Sequence, residues 1–196
     1  MPKSADKMKA VKERLFQAAM ALFDQKGYDN TTVAEIARKA GVSKGTFFTH
    51  FPAKDAVFSA IGNILAEYMQ EIVETGLAEK QSTRHILLEL IGMADAWCEE
   101  NKKLIGQVMV SGMYHAAMGT RSTSNRLAVT DMLRRMLEAG KQKGDIAAVV
   151  ASEDAARMLV GLFFSMMFDW IHDGGAWSLK EKLTACLDLL FRGIGP

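Results

Sequence analysis

Proline stands only at positions 2, 52 and 196, so nothing between residues 53 and 195 forbids a helix. No run alternates apolar and polar residues with period two. The β-branched side chains are scattered among Ala, Leu, Met, Glu and Lys, which favour helix. The chain is therefore predicted to be all-α. Hydrophobic residues make up 49% of the 196 positions, enough to close a sizeable core without disulfides. Cys98 and Cys186 lie far apart in apolar helical patterns and belong to no CxxC or Cys/His cluster, so both are expected to be reduced and buried.

Helical periodicity resolves this into about nine segments. A first helix over 6–26 carries Val11, Leu15, Ala18, Ala19, Leu22 and Phe23 on one face and stops at Gly27. A second starts at Thr32, where Thr32 and Glu35 have capping-box spacing, and buries Val33, Ile36, Ala37 and Ala40. After Gly41 and Val42, Ser43 caps a very short third helix, Lys44 to about His50. A long fourth helix is expected over 54–77. Others follow at about 83–99, 102–117, 122–142, 153–173 and 178–192, with breaks at Gly119, Gly144 and Gly174-Gly175. The first sixty residues hold ten Lys/Arg against six Asp/Glu, and the remainder fourteen against seventeen. A positive head on a slightly acidic body is the asymmetry expected if one end meets a polyanion.

Two short helices joined through Ala-Gly-Val-Ser are what a helix-turn-helix requires: the glycine permits the tight corner and the valine locks the crossing. The third helix, roughly 10 Å long at 1.5 Å per residue, suits a major groove about 12 Å wide. The run from Thr31 through Phe51, TTVAEIARKAGVSKGTFFTHF, followed by Lys54, closely resembles the DNA-binding signature of the TetR (tetracycline-repressor-like) family. The resemblance implies an N-terminal DNA-binding domain at residues 1–54 on a helical ligand-binding and dimerisation body at 55–196. It also implies roles for single residues. Thr32 and Lys54 hold phosphates, while Lys44, Gly45 and Thr46 read base edges: Lys44 donating to guanine, Gly45 allowing close approach, Thr46 touching a thymine methyl or a phosphate. Thr49 and His50 reach the backbone at the far end, with Phe47 and Phe51 as core beneath. Phe48 departs from the usual tyrosine, which removes one hydroxyl-to-phosphate bond.

The eighth helix is apolar in nearly every direction, from Leu159 to Ile171, so it must be covered on two sides; Gly161 and Ser165 would let a second helix come close. In the family this helix and the last one form a four-helix dimer interface. The resemblance therefore implies a homodimer joined through Gly161, Phe164, Ser165, Phe168, Leu187 and Leu190, whose two heads, roughly 34–36 Å apart, read a palindromic operator. The body is rich in methionine. Met109, Met113, Met132, Met136 and Met167, with Trp97, Tyr114 and Phe163, would suit a pocket for a small, largely apolar effector; the other reading is plain core filling.

The sequence points away from enzymes. HExxH, GxSxG, P-loop and GxGxxG motifs are missing, and His50, His85, His115 and His172 show no metal-ligand spacing, so neither metal nor cofactor is expected. There is no run of eighteen apolar residues and no cleavable leader, which makes a membrane span unexpected and the cytoplasm the expected location. The expected function is a ligand-responsive DNA-binding regulator, a repressor released from its operator. The alternative is a protein of the same fold controlled by a protein partner or by DNA architecture.

Overall fold

Nine helices and no strands occur among residues 3–117 and 122–193, which the computed structural model describes. In order they are α1 (Lys3–Lys26), α2 (Val33–Lys39), α3 (Lys44–His50), α4 (Ala56–Ala78), α5 (Thr83–Glu100), α6 (Lys102–Ala117), α7 (Ser122–Lys143), α8 (Ser152–His172) and α9 (Leu179–Arg192). The all-α expectation holds, although α1 begins earlier than expected and α4 later, which leaves Lys54 in the preceding turn. No helix among the described residues is long and apolar enough to cross a membrane. The expected break at Gly119 lies outside the described residues.

The chain forms two compact units, Met1–Asn63 with Lys103–Ser122, and Ile64–Lys102 with Thr123–Pro196. This differs from a division at residue 54: the first unit runs on into α4 and takes in most of α6. Its core follows the helical period, with Leu15, Ala18, Ala19 and Phe23 of α1 buried alongside Ile36 and Ala37 of α2, Phe47 of α3, and Val57, Phe58 and Ile61 of α4. Burial of each large side chain contributes roughly 1.5–3 kcal/mol. Asp24 of α1 and Lys103 of α6 form an exposed ion pair at 3.5 Å.

The second unit centres on Val73, Ile86, Leu87, Leu90, Met132, Leu133, Met136, Leu137, Ala156, Val160 and Leu187. One device ends four of the chain's helices. After α2, α4, α7 and α8 the backbone turns left-handed at Gly41, Lys80, Gly144 and Gly174, and the next amide reaches back to Ala37, Gly76, Gly140 and Trp170 respectively. Three of those four stops are glycines the sequence announces; Lys80, at φ 58°, is not. Cys98 is buried, whereas Cys186, expected to be buried too, is half-buried.

Candidate nucleic-acid interface

The α2–α3 pair is assembled by local hydrogen bonds. The Thr32 hydroxyl accepts from the Glu35 amide at 3.3 Å, and the Thr32 amide donates back to Glu35 Oε2 at 2.9 Å, closing the predicted capping box. The Thr32 hydroxyl also donates to Glu35 Oε2 at 2.7 Å, and Lys26 Nζ donates to Oε1 at 2.6 Å. These bonds to Lys26 and then Thr32 pull the Glu35 carboxyl down to about 2. Gly41, at φ 68°, makes the corner that only glycine enters without strain: its amide donates to Arg38 and that of Val42 to Ala37. Ser43 then caps α3 by accepting from the Thr46 amide at 3.1 Å.

Below α3, Phe47 and Phe51 are buried with ring centroids 5.5 Å apart, fixing the helix from beneath as expected. On the outer side, Lys44, Gly45, Phe48 and Thr49 are exposed, and His50 is half-buried. Phe48 stands edge-on to Phe47, with Lys44 Nζ 6.0 Å from its ring. The Thr46 hydroxyl lies 2.9 Å from Ser43 Oγ, and Thr49 Oγ1 donates to the Gly45 carbonyl at 3.1 Å. A Cβ placed at Gly45 would meet nothing nearer than Ser43 Oγ at 3.7 Å, so the fold itself does not demand glycine there.

Two expected phosphate contacts need correction. Lys54 is tied inward: Nζ donates to the carbonyls of Tyr28 at 2.7 Å and Thr31 at 2.8 Å and stands 3.9 Å from the Tyr28 ring centroid. The hydroxyl hydrogen of Thr32 is committed to Glu35. Sequence reasoning missed Lys12, whose Nζ lies 5.9 Å from the Phe51 ring. The only signal for it was the run of basic residues along the start of α1.

The body residues separate into distinct groups. Met132 and Met136 belong to the closed core of the second unit, so there the core-filling reading wins. Met167 is buried and accepts from the Cys98 thiol at 3.8 Å; burial, with Asp95 and Glu99 nearby, pushes that thiol up to about 12. Met109 is buried on α6 in the first unit, while Trp97 and Phe163 are half-buried in the second. Met113 and Tyr114 fall outside the residues whose side chains are described. A surface hollow along α4 is lined by Ala66, Glu67, Gln70, Glu71, Glu74 and Thr75, none of them an expected ligand residue.

On α8, Ala156, Val160, Met167 and Trp170 face inward, whereas Gly161, Phe164, Ser165 and Phe168 form an exposed stripe with Met158. Leu190 is half-buried. Leu187 is 2% exposed inside its own core, which removes it from any surface that could meet another chain.

The sequence profile of the bacterial regulatory proteins of the tetR family matches residues 15–61, the segment holding α2, α3 and their supports. Over nearly its whole length the chain is similar to the HTH-type transcriptional repressor Rv1474c of Mycobacterium tuberculosis, 25% identical over 193 residues, 97% of this chain and 96% of that one. The structure is similar to that of FadR, a TetR-family transcriptional repressor of Thermus thermophilus solved with lauroyl-CoA. The TM-score is 0.76 at 28% identity, covering 94% of this chain and 95% of that one. FadR of Bacillus subtilis, solved with stearoyl-CoA, shares the fold at a TM-score of 0.76 and 20% identity, covering 93% of this chain and 99% of that one. With the family's DNA-binding domain at residues 15–61 and the family's fold across its body, the chain is a transcriptional regulator of the tetR type.

Proposed function

We propose that this protein is a repressor that holds a palindromic operator as a homodimer and releases it on binding a small, largely apolar effector. The observation that carries the DNA half is the outer side of α3. There Lys44, Gly45, Phe48 and Thr49 are exposed on a helix whose other side is locked by Phe47 and Phe51. Thr46 and His50 complete the reading surface, and the exposed Arg38 and Lys39 of α2 supply further charge for phosphates. The apolar stripe of Gly161, Phe164, Ser165 and Phe168 supports the dimer, because a second copy would remove it from water. Such a symmetric contact would set two heads about one DNA turn apart.

The effector half draws on the similarity to the Thermus thermophilus repressor solved with lauroyl-CoA, which makes acyl-CoA thioesters the first class to test. Release requires that the effector favour one arrangement of the dimer over the other, by as much free energy as the operator must lose. A second reading, control by a protein partner or by DNA architecture, is favoured by one observation: Met132 and Met136 fill the core of the body.

Selection of bound duplexes from a random pool tests the first half. A palindromic consensus bound by two chains is expected, and recovery of sequences no better than the starting pool would refute it. Titration of the selected duplex complex with lauroyl-CoA and stearoyl-CoA tests the second half, with release at micromolar concentration expected. Release by neither thioester would withdraw that effector class.

A further inference from the structure

Lys54 is where the structure departs furthest from what its place in the motif suggests. Its ammonium donates to two main-chain carbonyls, those of Tyr28 and Thr31, which bracket the loop between α1 and α2. That loop ends at Thr32, the N-cap of α2. The Tyr28 ring beneath the ammonium is held against Phe23, centroids 5.2 Å apart, and Phe58 at 4.9 Å, so it forms a fixed floor. Thr31 is buried, and its hydroxyl donates to the Gly27 carbonyl at 2.8 Å. The same loop is therefore gripped from both sides. A cation held by two carbonyls and an aromatic face is a strong internal anchor, and two of its three N–H donors are already used.

Resting on the DNA-binding reading above, we infer that Lys54 is a positioning residue: it fixes the pose of the α1–α2 loop, and through it of α2 and α3, and does not neutralise a DNA phosphate. The two roles differ in what salt does. Losing a phosphate contact lowers the slope of log K against log salt by about 0.9. Losing an anchor lowers only the fraction of heads in the binding-competent pose. If about one head in ten stays competent, affinity falls about tenfold on every sequence and the slope is unchanged.

The test has two arms. In the first, Lys54→Met is titrated with the selected operator and with an unrelated duplex between 50 and 200 mM salt. An equal loss on both duplexes at the wild-type slope is expected, and a slope smaller by about 0.9 overturns the inference. The second arm needs no disabled variant. In wild-type protein with labelled lysine, the Lys54 ε-methylene protons, assigned by their absence in Lys54→Arg, should resonate upfield because of the Tyr28 ring. They should stay there in the operator complex; a return to the ordinary lysine position on adding DNA overturns the inference, and this arm decides if Lys54→Met does not fold. A wild-type chain that binds neither duplex refutes the DNA-binding reading itself, and with it any role for Lys54 in that binding.

Discussion

Replacing Gly45 by alanine separates the needs of the fold from those of the DNA contact. Gly45 lies in the first turn of α3, with no positive φ and with only Ser43 Oγ, at 3.7 Å, near the position a Cβ would take. Alanine is thus accepted in the folded state and removes backbone freedom from the unfolded one, a gain of about 0.4–1 kcal/mol. For a chain of this length the gain corresponds to a Tm rise of roughly 1–4 °C. At the DNA the same methyl works in reverse. If Gly45 marks the closest approach of α3 to the base edges, the added group holds Lys44 and Thr46 away from them. Loss of one good base contact costs about 1–3 kcal/mol, a roughly five- to 150-fold drop on the operator, with little change on an unrelated duplex held only through phosphates. Fluorescence anisotropy on both duplexes, beside a thermal melt, measures the two effects.

Gly140→Ala is the control. Its Cβ would collide with Thr83 Oγ1 and lie 2.9 Å from Ile146 Cγ1, an overpacked site costing about 1–3 kcal/mol with operator selectivity unchanged. Gly45→Ala protein that melts higher and still binds operator like wild type would refute the placement of Gly45 at the DNA. A lower melt would refute the reading of its surroundings.

Lys44→Ala should weaken operator binding by about 1–3 kcal/mol and relax the preference at one base pair, seen by repeating the selection; an unchanged consensus argues that Lys44 touches only phosphate. Phe168→Asp places a charge on the exposed stripe of α8 and should yield folded monomers by sedimentation, whereas Leu187→Asp, in the closed core, should unfold the body. Dimers of the first variant, or folded monomers of the second, would overturn that contrast. The Glu35 carboxyl, ordinarily near 4.5 and drawn down to about 2, adds stability that is present above the ordinary value and fades as pH falls toward the lower one. The melting difference between wild type and Glu35→Gln should therefore close between pH 4.5 and 2; a difference independent of pH rules the ion pair out as its source. Cys98, buried and with its thiol held far up the pH scale, should resist alkylation at pH 8 in the folded chain while the half-buried Cys186 reacts. Equal modification of both would show that the body opens.

What the sequence made legible follows the range of the interactions involved. The caps at Thr32 and Ser43 and the corner at Gly41 each join residues three to five positions apart, so the letters and their spacing already contain the bond. The all-α reading and the lengths of the later helices rest on the same short-range periodicity. Readings failed where the deciding partner is distant. Lys54 meets carbonyls 26 and 23 residues away, and Leu187 is placed by packing against helices drawn from across the second unit. In both cases the residue type was compatible with two fates, outward or inward, and periodicity could not choose because each position borders the apolar face. Met132 and Met136 show the same ambiguity in a pocket reading, since a flexible apolar side chain suits a cavity wall and a closed core alike.

This bears on how the head binds DNA. A motif position that calls for lysine fixes a charge and a reach, but not the atoms that receive them. In this chain the cation in that position is consumed by the scaffold that aims α3, and the cations left facing solvent on α2 and α3 are Arg38, Lys39 and Lys44. A salt slope that responds to neutralising those three and not to Lys54→Met would show the scaffold and the contact surface to be separate parts of the head. Equal responses would mean that DNA binding rebuilds the loop around Tyr28 and frees the anchor.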